Sequence, residues 1–522
     1  MRKICCFCIA LLFILTSCQS TSSIIPESKT ETETTTLTWY INFSWFNKSW
    51  GEDATSKYIT EQTGINVEYI TPTGDESEKL TSMISSGMMP DIVTLGFWDE
   101  LYYTMIDKDV LAALNVLDQQ YDTDFFEYAN NDTINWYSDD SGNIYAYPNS
   151  SYSIEDFQSS SNQTFLVRED IYIAIGSPDM STPEGFLQAL SDAKEMFPTV
   201  DGKDLIPLGL QEFTSTGNSS IEEYLQNFLA VPYEVDGQVY DRFTDEQYIT
   251  WLKTLNEANQ MGLLATDVFV DKRVQMEEKI AQGRYFAMLY QWSDCSEQLQ
   301  LINQTNPEQN YIAIDGPKNS NQDDHTLSGS GIQGWTLTGI SNTSKNQEEA
   351  IKLLSFLMSD QGQKLIFLGV EGDSYEIVEN EIVFYDEVIA TYNSDRSTYD
   401  KIYGGASTHW PMMNNSYAYT MGYNMPNEDN IQSIIDWTSK YATNLSLYLY
   451  ENYSDNPQVN LAYNLDTYAK AELLPKLLFA QSEEEFDMLF NEYLSLREEN
   501  NYYLVMEENQ KILEENKARL FN

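Results

Sequence analysis

Aromatic side chains are the residues of this sequence best suited to hold a ligand, because a ring offers an apolar face and Tyr and Trp add a polar edge. The chain has 10 Trp and 36 Tyr among its 522 residues. Six of them are candidates: Trp45, Trp98, Trp292, Trp335 and Trp410 stand in polar or loop contexts, where a ring can face a ligand, and Tyr147 lies in an extended Tyr-Pro segment. For each of them taken singly, the alternative is ordinary packing in a core.

Three carboxylates are candidate polar partners of these rings: Asp91, Asp294 and Glu371. Each of them could equally cap a helix or a turn. With 81 Asp and Glu residues in the chain, pairs of carboxylates arise by chance and carry little catalytic information. Two histidines cannot form a His-rich metal site, and Cys295 has no neighbouring His in the sequence to activate it. We therefore expect no catalytic residues, no cofactor and no bound metal.

The formal net charge of -52 at pH 7 restricts the possible partners. A surface this acidic will not neutralise the phosphates of a nucleic acid, and it will not be attracted to an anionic membrane leaflet. The composition, with 42% hydrophobic residues, excludes a disordered chain. Solubility is the simplest role for the charge.

The N-terminus is typical of an export signal. Arg2 and Lys3 precede an apolar run from Ile4 to Leu15, which is shorter than the roughly 20 residues that span a bilayer. A short membrane anchor that stays in place is the alternative. The sequence Leu15-Thr16-Ser17-Cys18 resembles the bacterial lipobox, in which the cysteine receives lipid (diacylglycerol, palmitate) and the chain is cut just before it. We therefore predict a signal peptide over residues 1–17, and a lipidated Cys18 with a flexible tether over residues 18–36.

The elements that position Trp45 and Trp98 follow from the hydrophobic pattern of the first hundred residues. The pattern predicts strands over 36–43, 65–70 and 90–98, and helices over 50–64 and 76–87 that end at glycines. Alternating strands and helices are typical of a doubly wound α/β unit, whose ligands lie outside the carboxyl ends of the strands. Trp45 follows its strand and Trp98 ends its strand, so both would lie at the mouth of a cleft.

The rest of the chain also predicts α/β structure. A strand that runs into a helix is expected over 162–176, and a helix capped at Ser181 or Thr182 over 183–197. Apolar residues on one face predict a single helix over 344–362 that stops at Gly362. A charged helix with a core stripe is expected from about Ser482 to Leu520.

Several segments together resemble the extracellular solute-binding proteins of ABC importers, family 1, above all the large lipoprotein subgroup that handles oligosaccharides in Gram-positive bacteria. No single segment is specific for this family, but the order and spacing of the segments over nearly the whole chain are specific. Besides the lipobox they are TGINVEYI, SGMMPDIV, GNIYAYP, FLVREDI, QGRYFAMLYQWSD, WTLTGISNTSKNQEEAIKLLSFLMSDQG, LGVEGDSYEI and EEEFDMLFNEYLSL.

The resemblance implies a two-lobe fold of the periplasmic-binding-protein type, type II, with a hinge of several crossing segments. Lobe 1 would comprise residues 37–147 and 316–361, and lobe 2 residues 151–315 and 362–522. Tyr147 would lie on the hinge. The ligand would sit between the lobes, and its binding would stabilise the closed form.

The resemblance also implies a carbohydrate ligand, a sugar whose apolar CH face lies on the rings and whose hydroxyls bond to polar side chains. Trp292 lies in the segment that resembles the family's cleft lining. Many relatives carry a calcium loop after the helix that matches 182–197, but here only Asp201 and Asp204 remain around Gly202. Calcium takes six to eight oxygens, so we predict no calcium there.

The resulting prediction is a monomeric, non-enzymatic receptor on the outer face of the cell membrane that delivers an oligosaccharide to an ABC transporter permease. A surface-anchored glycoside hydrolase with two carboxylates is the main alternative. A sensor that uses the same fold, and a peptide or other solute as ligand, also remain open. Because only 29 residues are Lys or Arg, neutral sugars are favoured over uronic sugars.

Overall fold

The computed structural model describes residues 34–153, 159–264, 266–421, 427–450, 454 and 456–521. The predicted signal peptide, Cys18 and residues 19–33 of the tether lie outside these ranges. None of the helices within them combines the length and the apolar character needed to cross a membrane.

The strands are short, and most belong to two sheets. In chain order they are Thr35–Ile41 (β1), Ile65–Ile70 (β2), Ile92–Gly96 (β3), Leu111–Ala112 (β4), Ala146–Pro148 (β5), Gln163–Arg168 (β6), Thr199–Val200 (β7), Lys203–Asp204 (β8), Ile206–Leu210 (β9), Glu234–Val235 (β10), Gln238–Val239 (β11), Tyr285–Gln291 (β12), Tyr311–Ala313 (β13), Leu327–Ser328 (β14), Thr336–Ser341 (β15), Tyr375–Val378 (β16), Glu381–Phe384 (β17) and Ala442–Thr443 (β18).

The α-helices are, in chain order, Ala54–Thr63 (α1), Glu76–Ser86 (α2), Leu101–Asp107 (α3), Leu114–Tyr121 (α4), Phe125–Tyr128 (α5), Asn131–Tyr137 (α6), Glu169–Ala174 (α7), Pro183–Met196 (α8), Leu225–Phe228 (α9), Glu246–Gln260 (α10), Arg273–Ala281 (α11), Ser296–Thr305 (α12), Gln347–Met358 (α13), Asp360–Leu368 (α14), Asp386–Ser394 (α15), Arg396–Ile402 (α16), Ala406–His409 (α17), Asn415–Thr420 (α18), Asp429–Ser439 (α19), Pro457–Phe479 (α20), Glu483–Glu499 (α21) and Tyr503–Phe521 (α22).

The first sheet has the strand order β2-β1-β3-β15-β4, with β5 paired to β15. Strands β2, β1 and β3 are parallel, whereas β15 runs antiparallel to β3, with Leu337 opposite Leu95. The carboxyl ends of β1 and β3 therefore share one edge with the amino end of β15. This edge is where a doubly wound sheet binds ligands.

The second sheet has the order β13-β6-β12-β9. Strands β12 and β9 are parallel, and β6 is antiparallel to β12, so that Gln163 at the start of β6 lies opposite Gln291 at the end of β12. The loops after β9 and β12 therefore leave the sheet at the same edge.

Each sheet has its own buried clusters on both faces, which makes the chain a two-lobe α/β protein, as predicted. Leu37, Trp39 and Ile351 belong to the largest cluster of the first sheet, and Phe165 and Trp251 to that of the second. Helices cover both faces because the strands are apolar on both sides, as in β3, where all five residues are buried.

Local signals set several helix ends where the sequence predicts them. Helix α1 ends at Gly64 and α2 at Gly87, both with φ near +70°, a conformation that glycine adopts without strain. The Thr182 hydroxyl caps α8 by accepting from the Gly185 amide, and Pro183 occupies its first turn.

Two helix predictions are wrong. The predicted helix over 344–362 is divided at Ser359, whose hydroxyl accepts from the Gly362 amide and starts α14, so Gly362 lies inside a second helix instead of ending the first. The C-terminal helix is divided into α21 and α22 near Asn501, which has φ of 60°. Both breaks allow the chain to turn its next apolar face onto the core.

Three chain segments cross between the lobes side by side. The Asn149 amide donates to the Thr336 carbonyl (3.0 Å) and the Ser150 amide to the Met413 carbonyl (2.8 Å). Farther along, the Leu327 amide donates to the carbonyl of Tyr441 (3.1 Å). The crossing thus uses described residues near 149–153, 327–336, 411–413 and 441–446.

The packing differs from the predicted division of lobes for part of residues 362–522. Leu365, Tyr399 and Trp410 from this range are buried in the cluster of the first sheet, together with Leu37. The chain returns to the second sheet with α19, whose Ile431 and Ile434 pack beside β12 and β13. The cause is the apolar faces of α14 and α16, which cover the first sheet after the strands of both sheets are complete.

Candidate functional site

Three of the six selected aromatic residues meet at the carboxyl edge of the first sheet. Trp45 follows β1, Trp98 follows β3, and Trp335 directly precedes β15. Because β15 is antiparallel to β3, its amino end meets the carboxyl end of β3, and the Phe97 amide donates to the Trp335 carbonyl (3.2 Å). The antiparallel strand is the reason that Trp335 joins two residues that follow strands.

Trp410 joins them from a distant segment. Its carbonyl accepts a hydrogen bond from Asn149 Nδ2 (2.9 Å), and the carbonyl of Pro411 accepts one from the Thr338 hydroxyl (3.3 Å). These bonds fasten the loop around Trp410 to the crossing segment and to β15.

The four tryptophans form a tryptophan cluster, Trp45, Trp98, Trp335 and Trp410, around Phe43. The ring centroids of Trp45 and Trp335 are 6.1 Å apart with planes at 11°, and those of Trp335 and Trp410 are 4.7 Å apart. Phe43 lies within 6.4 Å of all four rings. Trp45 and Trp98 are 49% and 45% exposed, whereas Trp410 is 5% exposed, so the cluster has a buried base and two solvent-exposed rings.

Trp45 and Trp410 line a cavity of about 420 Å³ between the lobes, named here the interlobe cavity. Its second wall is Ser293, Glu297 and Gln300, in the turn after β12 and the first turns of α12. The carboxyl edges of the two sheets therefore face each other across this space. Its volume lies in the usual range for small-molecule sites.

The charged groups of the interlobe cavity come from residues that were not among the predicted site residues. The Lys48 ammonium forms an ion pair with Asp400, which also accepts a hydrogen bond from the Ser407 hydroxyl. The Arg396 guanidinium lies 3.5 Å from the centroid of the Tyr392 ring, and no described carboxylate lies within 4.0 Å of it. The wall thus offers donors and acceptors beside the rings.

Trp292 and Asp294 flank Ser293 at the edge of the second sheet, next to the interlobe cavity but not in its wall. Trp292 is half-buried, and its Nε1 donates to the Ser161 carbonyl (3.0 Å). Asp294 accepts from Gln291 Nε2 (3.0 Å) and pairs with Arg273 (3.3 Å). Burial raises the pKa of Asp294, an effect that Arg273 partly opposes.

Asp91, Tyr147 and Glu371 are not brought to this place. Asp91 precedes β3 and lies at the opposite edge of the sheet, where it accepts hydrogen bonds from Thr38 and Ser344. Burial by itself raises the pKa of Asp91, but these hydrogen bonds lower it by more, so the pKa is lowered overall. Its position before the strand, not after it, was the signal against a role in the cleft.

Tyr147 lies in β5 at the start of the crossing and is 3% exposed. Its hydroxyl accepts from the Asn130 amide (2.8 Å), burial raises its pKa to about 12, and it lines a separate cavity of about 220 Å³. Glu371 is exposed in the turn after α14, where its backbone forms an isolated β-bridge with Tyr375.

Within the described residues, no group of three His, Cys, Asp or Glu side chains is arranged to hold a metal ion. Asp201 and Asp204, the remains of the calcium pattern, lie exposed at the β7–β8 turn.

Comparison with solved structures places this architecture among solute-binding proteins. The Streptococcus pneumoniae ABC-transporter substrate-binding protein FusA in complex with kestose is 15% identical, with 92% of this chain and 99% of that chain covered and a TM-score of 0.71. The N-glycan transport solute-binding protein NgtS of the same organism is 18% identical (93% and 99% covered, TM-score 0.60).

An HMO-binding, ABC-transporter-associated solute-binding protein of Bifidobacterium longum infantis is 14% identical (92% and 98% covered, TM-score 0.63). No curated protein matches the sequence. The model of the bacterial extracellular solute-binding proteins matches residues 54–370, which include all strands of the second sheet and those of the first sheet except β1. This chain therefore belongs to the family of bacterial extracellular solute-binding proteins.

Proposed function

We propose that this protein captures a carbohydrate in the interlobe cavity and delivers it to the permease of an ABC importer. The observation that carries the proposal is the tryptophan cluster, which opens with its Trp45 surface onto a space lined by polar groups of both lobes. A pyranose ring presents an apolar face and a polar rim, and the two kinds of wall complement them.

The walls also explain how binding would be sensed. Trp45 and Trp410 belong to the first lobe, whereas Glu297 and Gln300 belong to the second. A sugar that contacts both walls stabilises the closed arrangement more than the open one, and only such a differential contact can shift the equilibrium between them. The sugar ligands named for the similar structures support the same function.

Delivery is proposed to occur at the outer face of the cell membrane, from a lipid on Cys18. Mass spectrometry of the protein purified from membranes should find an N-terminal acylated Cys18 and no residues 1–17. A Cys18→Ser variant should move from the membrane fraction to the soluble fraction or the medium. An unprocessed chain that stays in the membrane would indicate an uncleaved anchor instead.

The binding step is tested by thermal unfolding of the purified protein with a panel of oligosaccharides, followed by mass analysis of each sugar. A ligand of the folded state raises the melting temperature in a concentration-dependent manner. A shift with the sugar recovered intact supports the receptor. Cleavage of the sugar would support a glycoside hydrolase, and the absence of a shift with every sugar would refute carbohydrate binding.

A further inference from the structure

A second, smaller cavity of about 70 Å³ lies beside Trp98, between the loop after β3 and the C-terminal helix. We name it the side cavity. Most of its wall consists of aromatic rings and one leucine: Phe97, Trp98, Tyr103, Trp136, Tyr137, Leu449 and Tyr450, whose hydroxyl is buried without a hydrogen-bond partner among the described residues. One water needs roughly 10–15 Å³ of such space, so the side cavity can hold a group of a few heavy atoms but not a sugar ring.

Asn516 of α22 places a hydrogen-bond acceptor in this wall. The residue is 3% exposed, and its Nδ2 donates to the carbonyls of Leu447 and Leu449, both at 3.2 Å. These two bonds fix the orientation of the amide. Its Oδ1 has no donor among the described residues, and it is not one of the described atoms that are fully buried without a partner, so it keeps accessible surface from which it can accept a hydrogen bond.

Gln333 supplies a second incomplete amide from the crossing segment. The residue is 8% exposed, and its Oε1 accepts from the Ser446 hydroxyl (3.1 Å). The other end of this amide has no partner among the described residues. Its backbone carbonyl accepts from the Tyr137 hydroxyl (2.7 Å), which holds Gln333 against the ring wall.

From these walls we propose that the side cavity binds the acetamido group of an N-acetylated sugar. This inference rests on the proposed function and names the class of its ligand. The methyl group lies among the rings, the N–H donates to Asn516 Oδ1, and the carbonyl accepts from the Gln333 amide. A hydroxyl in place of the acetamido group would leave the apolar wall unfilled and one amide unpaired.

Two further features favour a neutral acetamido group over a charged substituent and connect the side cavity with the tryptophan cluster. Glu100 is the charged residue of the wall, and the described lining contains no Lys or Arg, so a carboxylate or sulfate substituent would be repelled. Trp98 borders the side cavity, and its ring lies 6.4 Å from Phe43, at the base of the tryptophan cluster. A sugar that lies on the exposed face of Trp98 can therefore direct its substituent into the side cavity.

Isothermal titration of the purified protein with two matched pairs tests the proposal: chitotriose against cellotriose, and N-acetyllactosamine against lactose. The members of each pair differ in acetamido and hydroxyl groups. At least one N-acetylated sugar should bind roughly ten- to hundredfold more tightly than its counterpart, from two buried hydrogen bonds and one methyl group. Affinities within threefold in both pairs would overturn the proposal.

Two variants connect the preference with the side cavity. Asn516→Ala removes the acceptor, and Leu449→Phe fills the space while both amides remain; each should reduce the preference below threefold with the folded state intact by circular dichroism. Gln304→Ala, an amide on α12 outside the side cavity, should retain it. A preference that persists in both test variants refutes the site.

Failure of this inference can be separated from failure of the proposed function. Binding of sugars without acetamido groups, with no preference for N-acetylated ones, refutes the side cavity and leaves carbohydrate binding intact. No binding of any sugar in the thermal panel refutes both.

Discussion

Removal of one ring, Trp45→Ala, is the sharpest perturbation of the proposed sugar site. Trp45 lines the interlobe cavity, stacks on Trp335, and is 49% exposed in the free protein. A residue this exposed contributes little to the core, so the substitution should change binding far more than folding. We expect the free energy of unfolding to fall by about 0.5–1.5 kcal/mol, the worth of one aromatic pair.

The loss of affinity follows from the surface that the ring offers. A Trp side chain buries about 150–250 Å² when it is covered, so the exposed half offers on the order of 100 Å² to a ligand. At about 25 cal/mol per Å² this surface contributes about 2.5 kcal/mol to binding. Since about 1.4 kcal/mol changes Kd tenfold, the variant should bind roughly 50- to 100-fold more weakly.

Isothermal titration with the best sugar of the thermal panel measures this loss. Trp45→Phe keeps a ring and should lose less than tenfold. Trp437→Ala is the matched control, because its ring stacks on Phe228 (6.0 Å, 20°) in the second lobe and is not part of the lining of the interlobe cavity. If Trp45→Ala binds within threefold of the unaltered protein, the tryptophan cluster is not the sugar platform.

Three predictions concern stability and are checked by urea unfolding. Arg497→Met should cost about 1–3 kcal/mol, because the buried Asp466 carboxylate (3.0 Å from Arg497 Nε) loses a charged partner but keeps Lys470 (3.3 Å), and Asp466→Asn added to it should recover part of the loss. Gly334→Ala should destabilise the protein more than Gly87→Ala does. Both glycines have φ of 67°, but a Cβ at 334 would lie 2.1 Å from a backbone oxygen, whereas the space at 87 is open. Equal losses of unfolding free energy would refute the clash. Asp91→Asn should cost about 1–2 kcal/mol at pH 7. Because the pKa of Asp91 is lowered in the folded protein, the stability that its carboxylate contributes is present above the ordinary pKa and is lost as the pH falls through the folded value. The difference in unfolding free energy between the variant and the unaltered protein should therefore shrink below about pH 4. A constant difference would refute the role of the charge.

Local patterns in the sequence determined much of the first lobe. The strand before Trp45 was predictable because alternation and burial act within a few residues, and so was the strand near Trp98, although it ends at Gly96 and not at Trp98 as predicted. Glycines 64 and 87 end helices for an equally local reason, their left-handed backbone. The lobe architecture and the family followed from the order of such segments, and both predictions are confirmed.

The same local reasoning failed where one residue type serves two roles. Asp91 is polar and adjoins a strand, but it precedes the strand, and its carboxylate already accepts hydrogen bonds from Thr38 and Ser344. Glu371 is equally polar and lies in an exposed turn. Nothing in the neighbouring sequence distinguishes a carboxylate that faces a cleft from one that holds a loop.

Only the tertiary structure decided which distant residues meet. Lys48 and Asp400 are 352 positions apart, and Gln333 and Asn516 reach the side cavity from a crossing segment and from the last helix. The sequence by itself determined the main strands, several helix ends and the rings near the strand ends, because the forces that set them act within a few residues. The cavities arise where the two lobes come together, and burial of apolar surface, which drives that packing, is non-directional and leaves no local mark in the sequence.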